Sequence, residues 1–366
     1  MCVSILAMTA VLANPAQATD DISGSGSLTA PQTNNIVNGS VYSGVISGTG
    51  NVTVTAGNAN FYGWELTGVN TFNGQLDIQT GANVEFFGAS SDLATASVLV
   101  ESGGQLTSLS NQTVTDLSGA GTVLIVNGST LTDHLVNGST FSGNIEDSSG
   151  SGNFAVTGNG TLTLSGINSY SGTTTVGSGA TLSVSSVLNI ENSSSVVLNS
   201  GTLSVTGTGQ TFSNAITVAG TGGELSVANG MTDTFSGNIS GTSGLNINTG
   251  TTTGTVTLSG TNTSFSGNIV VESGTLAVGN GTNLGSGIVY LTTAAALQIN
   301  GTGAVGNTIW ANGGGTSGEG TLGINAGGVT LSGALGNSTN YLADLNINNI
   351  GTTVATGVVN VATINC

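Results

Sequence analysis

Leu164-Ser165-Gly166-Ile167-Asn168-Ser169-Tyr170-Ser171-Gly172 decides the fold, because the chain repeats it. Leu66-Thr67-Gly68-Val69-Asn70-Thr71-Phe72-Asn73-Gly74 precedes it, and Leu258-Ser259-Gly260-Thr261-Asn262-Thr263-Ser264-Phe265-Ser266-Gly267 follows with one extra residue before the aromatic. An aliphatic comes after each aromatic (Ile78, Val176, Val271), and a short segment opened by Gly81, Gly179 or Gly274 comes next. Upstream of the copies lie Tyr42-Ser43-Gly44, Phe141-Ser142-Gly143 and Phe235-Ser236-Gly237. Self-similarity on this scale means stacked supersecondary units, each covering the next, and hence a solenoid.

The residues between the glycines say which solenoid. Val52-Thr53-Val54-Thr55, Leu162-Thr163-Leu164, Leu182-Ser183-Val184 and Leu276-Ala277-Val278 alternate apolar with small or hydroxylated residues, the period of a half-buried strand. The 366 residues include 61 glycines and no lysine or arginine, so helix propensity is poor. Only Pro15 and Pro31 lack an amide hydrogen, which suits continuous ladders. These observations predict an all-β protein, a single-stranded parallel β-helix. A coil of roughly 20–25 residues gives about fifteen coils and, at about 4.8 Å per coil, a length of roughly 70 Å. Gly68, Gly166 and Gly260 are expected at corners requiring positive φ, with Asn70, Asn168 and Asn262 next to the turn and able to hydrogen-bond between coils.

The segment from Gly160 to Val184 resembles the autotransporter-associated β-strand repeat of secreted bacterial passenger regions. Residues 231–278 resemble it nearly as well, and 41–88 more loosely. The resemblance implies a right-handed β-helix displayed on a bacterial cell surface, or secreted, and associated with the outer membrane if a barrel follows.

Residues 1–18 read as a signal peptide: an apolar run from Val3 to Ala13, a break at Asn14-Pro15, and a small-x-small site at Ala16-Gln17-Ala18. No basic residue precedes the run, which points to a start upstream of Met1. Residues 19–40 are expected to form an N-terminal cap segment and 41–366 the β-helix, with 92–137 repeating least well and carrying lateral loops. No stretch has the amphipathic strands and aromatic girdles of a translocating barrel, so the passenger is expected to be cut at its C-terminal end, with the barrel in the full-length protein.

Composition limits the chemistry. Seventeen acids and no lysine or arginine give a net charge of −17, which excludes nucleic acid and disfavours anionic membranes and phosphates. No acid-x-acid loop marks a calcium site, and no cofactor is expected. After signal cleavage only Cys366 remains, so no internal disulfide can form. His134, beside Asp133 and upstream of Asp147-Ser148, has the residue order of one protease class, but the spacing is far too short for that fold. A β-elimination lyase would need a basic residue that the chain lacks, and Glu146-Asp147, the adjacent acids of the body, should face opposite sides of a strand.

No catalytic, cofactor-binding or metal residue is therefore assigned, and the ligand-binding residues stay unknown. The sequence favours a structural or adhesin-like surface β-helix, with glycans, matrix or further copies of itself as partners. A carbohydrate-active hydrolase and an ice-binding threonine-rich β-helix are the alternatives. Thr53-Val54-Thr55, Thr161-Leu162-Thr163 and Thr255-Val256-Thr257 are spaced irregularly for an ice face, which needs one pair per coil in register. Trp64 and Trp310 are the candidates for stacking on sugar, though each is expected to be packed at a corner or rung.

Overall fold

The computed structural model of the protein describes residues 28–31, 40–42, 49, 51–55, 64–66, 71–86, 93, 95–312, 318–348, 351 and 353–366. The signal peptide, Gly68 and Asn70 lie outside the described residues, as does most of the 19–40 segment. The chain is all-β, with parallel strands stacked as a solenoid of about 13 turns. That is slightly fewer than expected. Hydrogen-bonded residues on neighbouring turns are mostly 19 to 25 positions apart, and the first 27 residues contribute no described turn. Among the described residues no helix is long and apolar enough to cross a membrane.

Two compact units divide the chain, residues 1–174 with 188–193, and residues 175–187 with 194–366. In the first, Val84, Leu106, Val123 and Ile145 occupy one register position on successive turns, every pairing parallel. In the second, Leu182, Leu203, Leu225, Ile247, Val271, Leu291 and Ala311 form such a column. Each of these residues is buried, and its strand neighbours are mostly half-exposed. The two-residue period thus sends one set of side chains into the lumen and the other onto the outer face. Aromatics stack inside as well, Phe212 on Phe235 with centroids 5.3 Å apart and Phe154 near Tyr170 at 6.0 Å.

Gly166 and Gly260 are not positive-φ corners. The positive angles belong to the glycines that open the next strand, Gly179 (φ 78°) and Gly274 (φ 66°). Close approach explains Gly166 and Gly260: a Cβ on Gly166 would lie 1.8 Å from the Gly143 carbonyl oxygen, and one on Gly260 2.2 Å from that of Gly237. The turns meet backbone on backbone at this corner, and a side chain would force them apart.

The stretch 92–137 also departs from expectation. Its described part, 93 and 95–137, is strand-rich: Ser97–Val100, Gln105–Ser108, Gln112–Gly119, Thr122–Val126 and Thr130–Leu135. Its repeat is hard to read because the eight-residue strand Gln112–Gly119 bends at Asp116 (φ 46°). The Asp116 carboxylate holds that bend to the next turn, Oδ1 accepting from Val136 N at 3.0 Å and Asn137 N at 3.1 Å.

Candidate functional site

The two described asparagines of the repeat, Asn168 and Asn262, are buried polar ties. Asn168 is 1% exposed. Its Oδ1 accepts from Ile145 N at 2.8 Å and its Nδ2 donates to the Asn189 carbonyl at 2.8 Å. Asn189 returns the bond, its Nδ2 donating to Gly166 O at 2.8 Å. In the second unit Asn262 accepts from Ile239 N at 2.7 Å and donates to Asn283 O, while Asn283 donates to Gly260 O at 2.8 Å. The inter-turn bonds foreseen for these residues therefore exist, directed at backbone. Neither Asn168 nor Asn262 has a left-handed backbone: among non-glycines only Asp116, Ser200 and Asn248 have positive φ in the described residues. An amide matches one donor and one acceptor left over where strands break at the corner, so it can satisfy both without a charge.

The residues considered for catalysis do not converge. Asp133 and His134 are successive residues of one strand, so Asp133 faces the lumen while His134 is half-buried, its Nδ1 3.3 Å from Thr157 Oγ1. Asp147 is occupied structurally, Oδ1 accepting from Gly152 N at 2.7 Å and Oδ2 from Ser171 N at 3.0 Å and Ser171 Oγ at 2.5 Å. Burial pushes the Asp133 carboxyl up to about 7, against the hydrogen bond from Leu117 N and with help from the Asp116 charge. Its Oδ2 has no partner among the described residues. Asp233 is the counterpart in the second unit, its carboxyl likewise raised by burial despite a 2.7 Å bond from Gln210 N, and its Oδ2 likewise without a partner. Sequence alternation could have flagged both, since each takes an apolar position of its strand (Leu131-Thr132-Asp133, Asp233-Thr234-Phe235). Sealed in the lumen, neither can reach a substrate.

The outer faces are where a ligand can be met. Thr232, Thr255 and Thr275 are in register, as are Thr211, Thr234 and Thr257. Ala277 and Ala296 interrupt both columns, so the threonine array is more regular than the sequence indicates but short. On another face of the second unit a column runs Thr202, Glu224, Asn246, Val270, Tyr290, Trp310. Trp310 is therefore neither a corner nor a rung. It is the outward residue of Ile309–Ala311, half-exposed, with its ring edge-to-face on Tyr290, centroids 6.0 Å apart and planes at 70°. Trp64 is in register with the inward-facing Val84, and its side chain lies outside the described residues. Cys366 is an exposed free thiol, and among the described residues no three potential metal ligands cluster.

Against this geometry, the passenger-associated-transport-repeat family matches residues 154–184 and 253–278. The chain carries autotransporter passenger repeats. The matched segments contain Asn168 and Asn262 and the glycines beside them, so the close-packed corner and its amide ties are part of the repeat. The chain is also similar to "Adhesin BmaC autotransporter" of Brucella suis biovar 1 (strain 1330), at 35% identity over 241 residues. That alignment covers 63% of this chain and 7% of the relative, so the chain spans a small part of that protein's length. No solved structure matches.

Proposed function

We propose that this chain is part of an adhesin-like, non-catalytic β-helix displayed on the bacterial surface as an autotransporter passenger, held at the outer membrane by a barrel elsewhere in the full protein. The observation that carries the reading is the contrast between lumen and outer face. The lumen is closed by apolar rungs and amide ties, while the outer face offers hydroxyls, amides and two aromatic rings in register, with few charges. A hydrogen-bonding surface with sparse charges suits contact with glycans or with another copy. Similarity to a relative described as an adhesin supports the same reading. Hydrolysis is not favoured, because the acids with raised pKa face inward.

Adhesion is tested by coating beads with the full chain and measuring their retention on epithelial monolayers and on glycan-coated glass under flow. Retention well above beads coated with the heat-unfolded chain supports the reading. Equal retention on every surface overturns it.

A further inference from the structure

We propose that the outward patch of Tyr290, Trp310, Val270, Glu272, Thr292 and Asn312 is a binding site for an uncharged glycan, an inference that rests on the adhesive reading and gives it a location. Three successive turns build it. Val270, Tyr290 and Trp310 share one register column on the outer face. Two residues further along each turn come Glu272, Thr292 and Asn312, on the same side by the two-residue period. Their backbones continue the stacking, Thr292 N donating to Val271 O at 3.1 Å and Asn312 N to Leu291 O at 2.8 Å. An apolar, aromatic column therefore runs beside a hydrogen-bonding one.

Placing these rings outside is unusual for this chain. Every described phenylalanine and Tyr170 are buried in the lumen, whereas Tyr290 and Trp310 are half-exposed on neighbouring turns, and Tyr341 is the other described aromatic with an exposed part. The Trp310 Nε1 is shielded and has no partner among the described residues. The indole thus offers solvent its carbon surface rather than its donor, which is how a sugar ring's C–H face is met. Tyrosine and tryptophan supply rigid contact area at small entropic cost. The Glu272 carboxylate and the Asn312 amide beside them suit the sugar's hydroxyls, and the Thr292 hydroxyl, whose proton goes to the Glu272 carbonyl, can accept from one. A chain without lysine or arginine has no cation to offer a uronate or sialic acid, and Glu272 repels them, so the site selects neutral sugar. Rings one turn apart follow the spacing of stacked strands, the scale on which successive sugar rings of an extended glycan recur.

The test is a calorimetric titration of the full chain with neutral hexasaccharides of β-1,4-linked glucose and of β-1,4-linked N-acetylglucosamine, and with a sialylated oligosaccharide, followed also by tryptophan fluorescence. At least one neutral hexasaccharide should bind and the sialylated one should not. Trp310→Ala and Tyr290→Ala should each weaken binding by about tenfold or more, Trp310→Phe by much less. Circular dichroism and melting of the variants should match the parent, because the rings lie outside the core. No binding of either neutral hexasaccharide, or unchanged binding by both alanine variants, overturns the site. Tighter binding of the sialylated sugar than of the neutral ones overturns its selectivity. Beads carrying Trp310→Ala separate the two claims: undiminished retention on cells rejects this site while leaving adhesion standing, whereas failure of the parent beads rejects adhesion itself.

Discussion

The repeat around Asn168 in the first unit and the repeat around Asn262 in the second solve one corner with the same parts and differ in what surrounds them. Both stack a glycine on a backbone carbonyl and, two residues on, bridge to the turns before and after with a buried amide. The aromatic that follows is Tyr170 in one and Phe265 in the other. The Tyr170 hydroxyl is 2.6 Å from Thr174 Oγ1, which donates to Ser193 Oγ at 2.8 Å, which donates to Gly172 O at 2.9 Å. Complete burial pushes the phenol's pKa up, so it remains a neutral hydrogen-bonding group. Phe265 needs no such chain. The extra residue before it is absorbed by a turn in which Phe265 N donates to Asn262 O at 2.9 Å. Outside, Ile167 is 62% exposed and Leu188 41%, where the second repeat has Thr261 and Thr282. The corner is fixed by backbone geometry, and the positions around it are free to vary as long as each buried polar atom is matched.

The sharpest way to break this equivalence is a methyl group. Gly166→Ala and Gly260→Ala should each cost more than about 4 kcal/mol or prevent folding, because the clash is with backbone that cannot swing away. Urea unfolding of the two variants checks it. A small cost at only one of them would show that its turns can separate and that the two corners are not alike.

The inward acids extend the comparison and give a pH dependence. The folded protein holds the Asp133 proton up to about pH 7, whereas the unfolded chain releases it near 3.8. Native protein therefore binds the extra proton between those values. The stabilisation is full below about pH 4, is lost as pH rises through about 7, and amounts to roughly 4 kcal/mol across the window. Asp233, raised in the same direction, adds to the same slope. Melting temperatures measured from pH 4 to 8 should fall for the parent relative to Asp133→Asn. Parallel profiles would place the Asp133 titration outside the folding equilibrium.

Next come the amides. Asn168→Ala and Asn262→Ala each strand a buried N–H and a buried carbonyl and should each cost about 2–4 kcal/mol by denaturant unfolding, with similar values at the two sites. Tyr170→Phe, which removes one hydroxyl from a matched chain, should cost about 1 kcal/mol. Phe265→Tyr, which buries a hydroxyl where none is now held, should cost about as much or more. Smallest is Ile167→Thr, within about 0.5 kcal/mol of the parent because the side chain already meets water.

The fold was legible because it depends on local pattern. Leu162-Thr163-Leu164 and Leu276-Ala277-Val278 carry the two-residue period, and three ordered copies of one phrase imply stacking. The roles inside the phrase were less legible. Gly166 reads equally well as a residue needing positive φ and as one needing no Cβ, and only the carbonyl of Gly143 below it separates the two. Trp310 was misplaced for a similar reason: a three-residue strand is too short for its alternation to show which side faces in. Asp133 and Asp233 stand in the sequence as breaks in an apolar pattern, but only the closed lumen shows that they are buried.

By itself, then, the sequence determined that this chain is an all-β parallel solenoid without basic chemistry, since strand period, repeat spacing and charge are all properties of the chain read in order. Only the tertiary structure decided which atoms meet across turns: glycine against carbonyl, amide against strand end, tyrosine against tryptophan. Those meetings are set by the register between residues mostly 19 to 25 positions apart, and register depends on every corner in between.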